Sequence, residues 1–391
     1  MQRKYPLAAV ASATRFALVA FPLASAGGGA LAQTYTVQAG IQQSFEYDSN
    51  PLLSSRSPQE VGGSITAPQA TLTAETETAK AELFGKVVAN RFTDNDFDSN
   101  DVYLTAATSL RGQVTKVGLN AALDYDTTRT SELTGSGSTV AGVRHLRYGV
   151  TPDVEVKLSP VDTVSTTLSY GRTVYDSARF TDYEDWAITP AWRRAFSPLD
   201  TGRVAIQASR FTSLDDQWNE VDSIGPMVGW ERKLSERLRV GGAVGVRFSH
   251  ARDYAGASTD SQGYLANFTV DYQGLQDTLR FSYDRNLAPL GNGTQVQADQ
   301  AEAGWVHGFG PVTYGELRAQ LVHQTSLDTD QDQQRTYYDV EPRIRFQLTE
   351  SWDLSPTYRY RHQTGGLGGD EADSHTVLLT VGYKGGKLAL D

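Results

Sequence analysis

Leu146-Arg147-Tyr148-Gly149-Val150-Thr151-Pro152-Asp153-Val154-Glu155-Val156-Lys157-Leu158-Ser159-Pro160-Val161-Asp162 holds the pattern that decides the fold. Leu146, Tyr148, Val150, Val154, Val156 and Leu158 alternate with polar or small residues, so one face is apolar and the other wet, the period of a β-strand. Ser159-Pro160-Val161-Asp162 then reads as a tight turn. The same alternation runs through Tyr35, Val37, Ala39, Ile41 and Phe45, through Val117, Leu119, Ala121 and Leu123, and through Tyr338, Val340, Ile344, Phe346 and Leu348. Runs of about ten residues are long enough to cross a bilayer as tilted strands.

The connections repeat as well. Ser197-Pro198-Leu199-Asp200 follows Ser159-Pro160-Val161-Asp162 by 38 positions, and Ser235-Glu236-Arg237 follows by another 38. Thr349-Glu350-Ser351 lies three such steps further on, with Gly274-Leu275-Gln276-Asp277 and Gly308-Phe309-Gly310-Pro311 between. One step fits one hairpin with a short turn at one end and a longer loop at the other. Pro152, Pro190 and Pro342 each stand seven residues before the repeat's Ser or Thr, on the apolar face, which suggests a tolerated bend at one depth. Turns near 76, 112, 160, 198, 236, 274, 310 and 350, with nine longer loops between them, predict 18 strands. The expected fold is all-β, a transmembrane antiparallel up-and-down barrel of 16 to 18 strands.

Composition agrees. The 391 residues include 36 glycines, 19 tyrosines and no cysteine, with a net charge of −11 and a mean hydropathy of −0.40. After the first 30 or so positions no apolar run approaches the ~20 residues of a transmembrane helix. Arg3 and Lys4, the run from Phe16 to Phe21, and Ala30-Leu31-Ala32 before Gln33 have the layout of a secretory signal peptide. The division is therefore 1–32 signal peptide and 33–391 barrel. Thiolate-metal and disulfide chemistry are removed, and the acidic balance argues against nucleic acid as a partner.

Aromatic residues gather at strand ends. Tyr47, Tyr125, Tyr175 and Tyr283 each precede an aspartate where a strand enters a long loop, and Trp186, Trp192, Trp230, Trp305 and Trp352 are expected on outward faces, which together suggest two interfacial girdles. By parity the polar faces carry Lys116, Arg147, Arg193, Arg247, Arg280, Arg318, Arg343, Arg345, Arg359 and Arg361, mixed with Asp124, Glu155, Asp271, Asp339, Glu341 and Asp353. These charges must face water or one another. Of them, Arg147, Arg193, Arg247, Arg343, Arg345, Arg359 and Arg361 are the candidate pore-lining residues. The last four come from consecutive strands, and two readings stand: lumenal ion pairs that stiffen the wall, or a cationic ladder that favours anions. The acidic loops Asp94 to Asp101 and Asp328 to Asp332 lack the glycine and terminal glutamate of a calcium loop. No metal site, cofactor or catalytic residue is expected, and the six histidines carry no nucleophile pattern.

Phe45-Glu46-Tyr47-Asp48-Ser49-Asn50-Pro51-Leu52 resembles the opening signature of the β-barrel porin 2 family, and the proline-bearing strands and Leu-Ser turns resemble it along most of the chain. His375 to Tyr383 resembles a C-terminal recognition strand, although Lys384 to Asp391 follow it. The resemblance implies an outer-membrane barrel associated with exopolysaccharide biosynthesis and export, and assigns no functional residue. The expected function is a conduit assisting export of an extracellular polysaccharide, not an enzyme. A general diffusion porin for small solutes and a closed structural or adhesive barrel are the alternatives. The expected partners are outer-membrane lipid and lipopolysaccharide, the barrel assembly machinery, and polysaccharide with periplasmic export components.

Overall fold

The computed structural model describes residues 34–133, 139–215, 218–327, 334–365 and 371–390. The expected signal peptide and the run Asp328 to Asp332 lie outside them. The strands are β1 (Thr34–Asp48), β2 (Val61–Glu75), β3 (Ala79–Phe92), β4 (Ser99–Arg111), β5 (Thr115–Thr127), β6 (Arg144–Lys157), β7 (Asp162–Tyr175), β8 (Tyr183–Ala195) and β9 (Asp200–Ser213). They continue as β10 (Asn219–Lys233), β11 (Leu238–Asp253), β12 (Ser258–Gln273), β13 (Asp277–Pro289), β14 (Gln295–Gly308), β15 (Thr313–Ser326), β16 (Gln334–Gln347), β17 (Trp352–Gly365) and β18 (Ala372–Lys384), with a short β19 (Leu388–Leu390). Each long strand pairs antiparallel with its neighbours in sequence, and β1 pairs with β18, which closes the ring. The expected 18-stranded up-and-down barrel is the observed one.

All eight short turns fall at the expected positions, and the chemistry of four of them recurs. Ser159 Oγ accepts the amides of Val161 at 3.2 Å and Asp162 at 3.0 Å and donates to the Asp162 carboxylate at 2.9 Å. Ser197 does the same with Leu199 and Asp200, and Ser235 and Thr349 accept the amides two and three residues on. The hydroxyl thus caps donors that a two-strand ladder leaves unpaired at its end. Trp192 and Trp230, also 38 apart, each donate an indole N–H to the turn aspartate, Asp162 at 3.2 Å and Asp200 at 3.1 Å.

Proline acts at one place in the hairpin. Pro152, Pro190 and Pro342 stay in register with the preceding strand, opposite Leu119, Thr166 and Leu317. Pairing with the following strand lapses at each, between Val150 and Asp153, Ile188 and Ala191, and Val340 and Arg343. Pro68 and Pro226 behave identically. Register is unchanged across each lapse, so a missing N–H removes a rung without inserting a bulge.

Side chains sort into two sets by strand parity. Val117, Val154, Val204, Ile224, Val244 and Leu379 belong to an outward set that remains exposed around the ring. In water so continuous an apolar surface has no stable counterpart, whereas a bilayer covers it. A closed antiparallel barrel leaves no unpaired edge within lipid and is the architecture of the bacterial outer membrane. The belt extends to the short turns, where Leu158, Phe196, Leu234, Leu275, Phe309 and Leu348 are exposed.

One expectation changes. Tyr175 is not part of an aromatic girdle: it stands in the inward row with Asp126 and His145 and is buried. After Lys384, Leu388 to Leu390 pair with Val37 to Tyr35 and continue the seam.

A roofed and ion-paired lumen as candidate functional site

The seven predicted lumenal arginines lie on strands β6, β8, β11, β16 and β17. Four of them are brought together. Arg343 donates to Glu341 at 2.9 Å and to Thr357 at 3.2 Å, with Glu316 at 3.7 Å. Arg345 lies 3.3 Å from Glu316 and over the Tyr314 ring. Arg359 donates its Nε to Glu341 at 2.7 Å. Arg361 donates to Asp48 at 2.5 Å and to Ser374 at 2.9 Å, which carries the network across the closing seam into β1. Every guanidinium of the column therefore meets a carboxylate, so the group is a mixed-charge lattice and not a row of free cations.

The other three stand apart. Arg147 is exposed, in register with Asp124. Arg193 donates to Glu155. Arg247 is buried, donates to Ser249 at 3.2 Å, and crowds Gly263, where an added Cβ would lie 2.6 Å from its Nη2. Beside the lattice, a recess of about 480 Å³ is lined by Asp271, Arg280, Glu302 and Arg318 together with the apolar Phe281 and Trp305.

The mouth at the long-loop end is crossed by chain. After β5, a single helical turn α1 (Thr128–Ser131) directs the backbone inward, and Thr128 Oγ donates to the Val140 carbonyl at 3.0 Å to hold the loop's base. Glu132 then accepts the Tyr175 hydroxyl at 2.5 Å from β7. The next residue, Leu133, gives its carbonyl to Arg335 of β16. β7 and β16 lie on opposite arcs of the ring, so two consecutive residues tie together opposite walls.

Leu133 is buried against Leu53, Val322, Tyr337 and Ala372. Val140 and Val143 pack on Tyr175, Phe180, Tyr183, Phe211 and Val221, and Ala141 on Val61, Phe92 and Phe97. Arg129 sits 4.6 Å over the Phe92 ring and 3.9 Å from Glu46. Burial pulls its pKa down, and Glu46 and Asp48 pull it back up.

Other loops join the cover. The Thr181 amide donates to the Gly291 carbonyl at 2.7 Å, linking the β7–β8 and β13–β14 connections. A Cβ at Gly291 would stand 2.8 Å from Phe180 and 3.0 Å from the Tyr175 hydroxyl, so this contact requires glycine.

Sequence reasoning did not find Glu132, Leu133, Tyr175, Arg335 or Tyr337 as members of one site. Their contacts join residues far apart in the chain, and the stretch around 127 to 142 shows no period to read.

No family model and no curated sequence matches the chain. Among solved structures it is similar to OccAB4 of Acinetobacter baumannii, with 10% identity over 90% of this chain and 98% of that one and a TM-score of 0.49. OpdK from Pseudomonas aeruginosa is 11% identical over 91% and 99% of the two chains, TM-score 0.46. The ferric citrate transporter FecA is 8% identical over 91% and 79%, TM-score 0.48. The assignment to the membrane-barrel class rests on the chain's own closed ring and apolar belt.

Proposed function

We propose that the protein is a narrow outer-membrane pore for small polar solutes. The observation that carries this reading is the Glu132-Leu133 bridge, which ties two residues of the β5–β6 connection to opposite walls across a wet, mixed-charge lining. Such a lining favours hydrated solutes over apolar ones, and its paired charges leave little net preference for either ion sign. Export of an extracellular polysaccharide, supported by the resemblance at Phe45 to Leu52, requires a polymer to pass the buried cluster around Leu133. The geometry therefore favours small solutes.

Single-channel recording of the purified barrel in planar bilayers tests the proposal. The expected record is small steps with weak ion selectivity. A lumen that conducts nothing under any voltage makes the protein a closed scaffold and removes the pore. Replacing Glu341 with Gln leaves Arg343 and Arg359 short of their shared carboxylate, and the reversal potential is expected to move toward anion preference.

A further inference from the structure

The wall forks between β12 and β13. β12 meets β11 from Ser258 to Tyr272, but meets β13 only from Ala266, opposite Arg285, to Gln273, opposite Thr278. Ser258 to Leu265 therefore present a free edge on the β13 side. Their outward row holds the exposed Ser258, Asp260 and Gln262, with Tyr264 67% exposed below them. The fork thus opens at the rim of the apolar belt, where unpaired N–H and C=O groups reach water.

The missing partner has turned inward. Leu287 belongs by parity to the outward row of Leu279, Phe281 and Tyr283, yet it packs on the lumenal cluster of Tyr175, Phe180, Tyr183, Phe211 and Val221. The β13–β14 hairpin stays intact, with Pro289 opposite Gln295, and its tip is held where the Thr181 amide donates to the Gly291 carbonyl at 2.7 Å. The Asn286 carbonyl accepts the Gln297 side-chain amide at 2.9 Å, and Gln297 Oε1 lies 3.4 Å from a Cβ added at Gly263. One side chain thus stands where the β12–β13 ladder would continue. At the crotch of the fork, a cavity of about 100 Å³ lined by Ala205, Met227, Leu265, Asp284, Arg285 and Asn286 leaves room beneath the hairpin.

From this fork we infer that the β13–β14 tip is a gate with two seats. In the observed seat it lies inside the lumen on the aromatic cluster. In the other it swings outward and the ladder continues in the same register, Leu265 opposite Asn286, Tyr264 opposite Leu287 and Gly263 opposite Ala288. Pro289, which has no N–H, ends that ladder. Each seat satisfies what the other leaves open: the inner one buries Leu287 and ties Gly291, and the outer one restores rungs along β12. Mutually exclusive sets of contacts make an element bistable. The outer seat clears the tip from the lumen, so the effect on flow rests on the pore reading, while the motion itself does not.

The chain has no cysteine, so an engineered disulfide reports the outer seat alone. Tyr264→Cys with Leu287→Cys gives directly opposed cross-strand partners, about 4.5–5.5 Å between Cα atoms, only when the ladder is complete. Phe268→Cys with Tyr283→Cys, opposed in the observed register, is the reference pair. Under mild oxidant, folded full-length barrels in lipid vesicles, identified by heat-modifiable mobility, are expected to close both pairs, the reference pair first. Gly291→Ala crowds the inner seat against Phe180 and is expected to speed closure of the gate pair about tenfold. In planar bilayers, oxidising the gate pair is expected to raise conductance about twofold, and reductant to reverse it. A gate pair that stays reduced while the reference pair closes, or that closes no faster with Gly291→Ala, overturns the inference. So does a conducting barrel whose conductance ignores the oxidised gate pair. A barrel that never conducts overturns the pore reading instead, and the oxidation rates still decide the motion.

Discussion

The two ends of the barrel are built on different principles. At one end, turns of three or four residues join the strands, and four of the eight repeat a single device, a Ser or Thr hydroxyl that caps the amides two and three residues on. At the other, each connection has its own length and route, and the longest enters the lumen and is pinned to both sides. The first end is local and periodic, so it contributes stability in equal increments. The second is long-range and unique, so it sets what passes through.

That contrast is testable by moving one property without the other. The largest effect is expected from Arg335→Ala combined with Tyr175→Phe, which cuts both ties of the β5–β6 loop. Single-channel conductance is expected to rise by about twofold, as when one constriction in series with a wide lumen is relieved. Unchanged conductance would mean that the loop does not limit flow, and the functional contrast between the ends would be lost.

Next comes Gly291→Ala. Its methyl group has no room beside Phe180 and Tyr175, so a cost of about 1–3 kcal/mol from overpacking is expected in urea-driven unfolding from lipid vesicles. Amide exchange is expected to quicken in the β7–β8 and β13–β14 connections and to stay unchanged at the short turns.

Smaller effects belong to the regular end. Ser159→Ala and Ser197→Ala are each expected to cost about 1 kcal/mol in the same unfolding assay, to add when combined, and to leave conductance alone. The smallest is Trp192→Phe, which keeps the ring at the interface and loses the hydrogen bond to Asp162. A few tenths of a kcal/mol is expected, because this bond is exposed. A conductance change in any of these turn variants would break the proposed division of labour.

The legibility of the sequence follows the same line. Residues that repeat are readable: Ser159, Ser197, Ser235 and Thr349 mark turns, and the alternation between them gives 18 strands. Inward and outward faces follow from parity, because a strand's period is two and a barrel wall has only two sides. Tyr175 shows where local signals mislead. Its Tyr-Asp pair looks like those at Tyr47 and Tyr283, yet its parity with Asp126 and His145 turns it inward, and only the strand register reveals that. Leu133 was beyond reach because its partners Leu53, Val322, Tyr337 and Ala372 come from distant parts of the chain. The arginine column was legible as a set of positions. Its neutralisation by Glu316, Glu341 and Asp48 depends on which rotamers meet, which no spacing encodes.

The short β19 has a mechanical consequence. Nine rungs join β1 to β18, from Gly40 opposite Lys384 to Asp48 opposite Thr376. Three more come from Leu388 to Leu390 against the start of β1, which brings this joint near the length of the other seams. A cylinder rolled from a ribbon fails first where its edges meet, so these three residues act as the clasp of the hoop, taking hoop stress that the meeting edges would otherwise bear on three-quarters of the fastening.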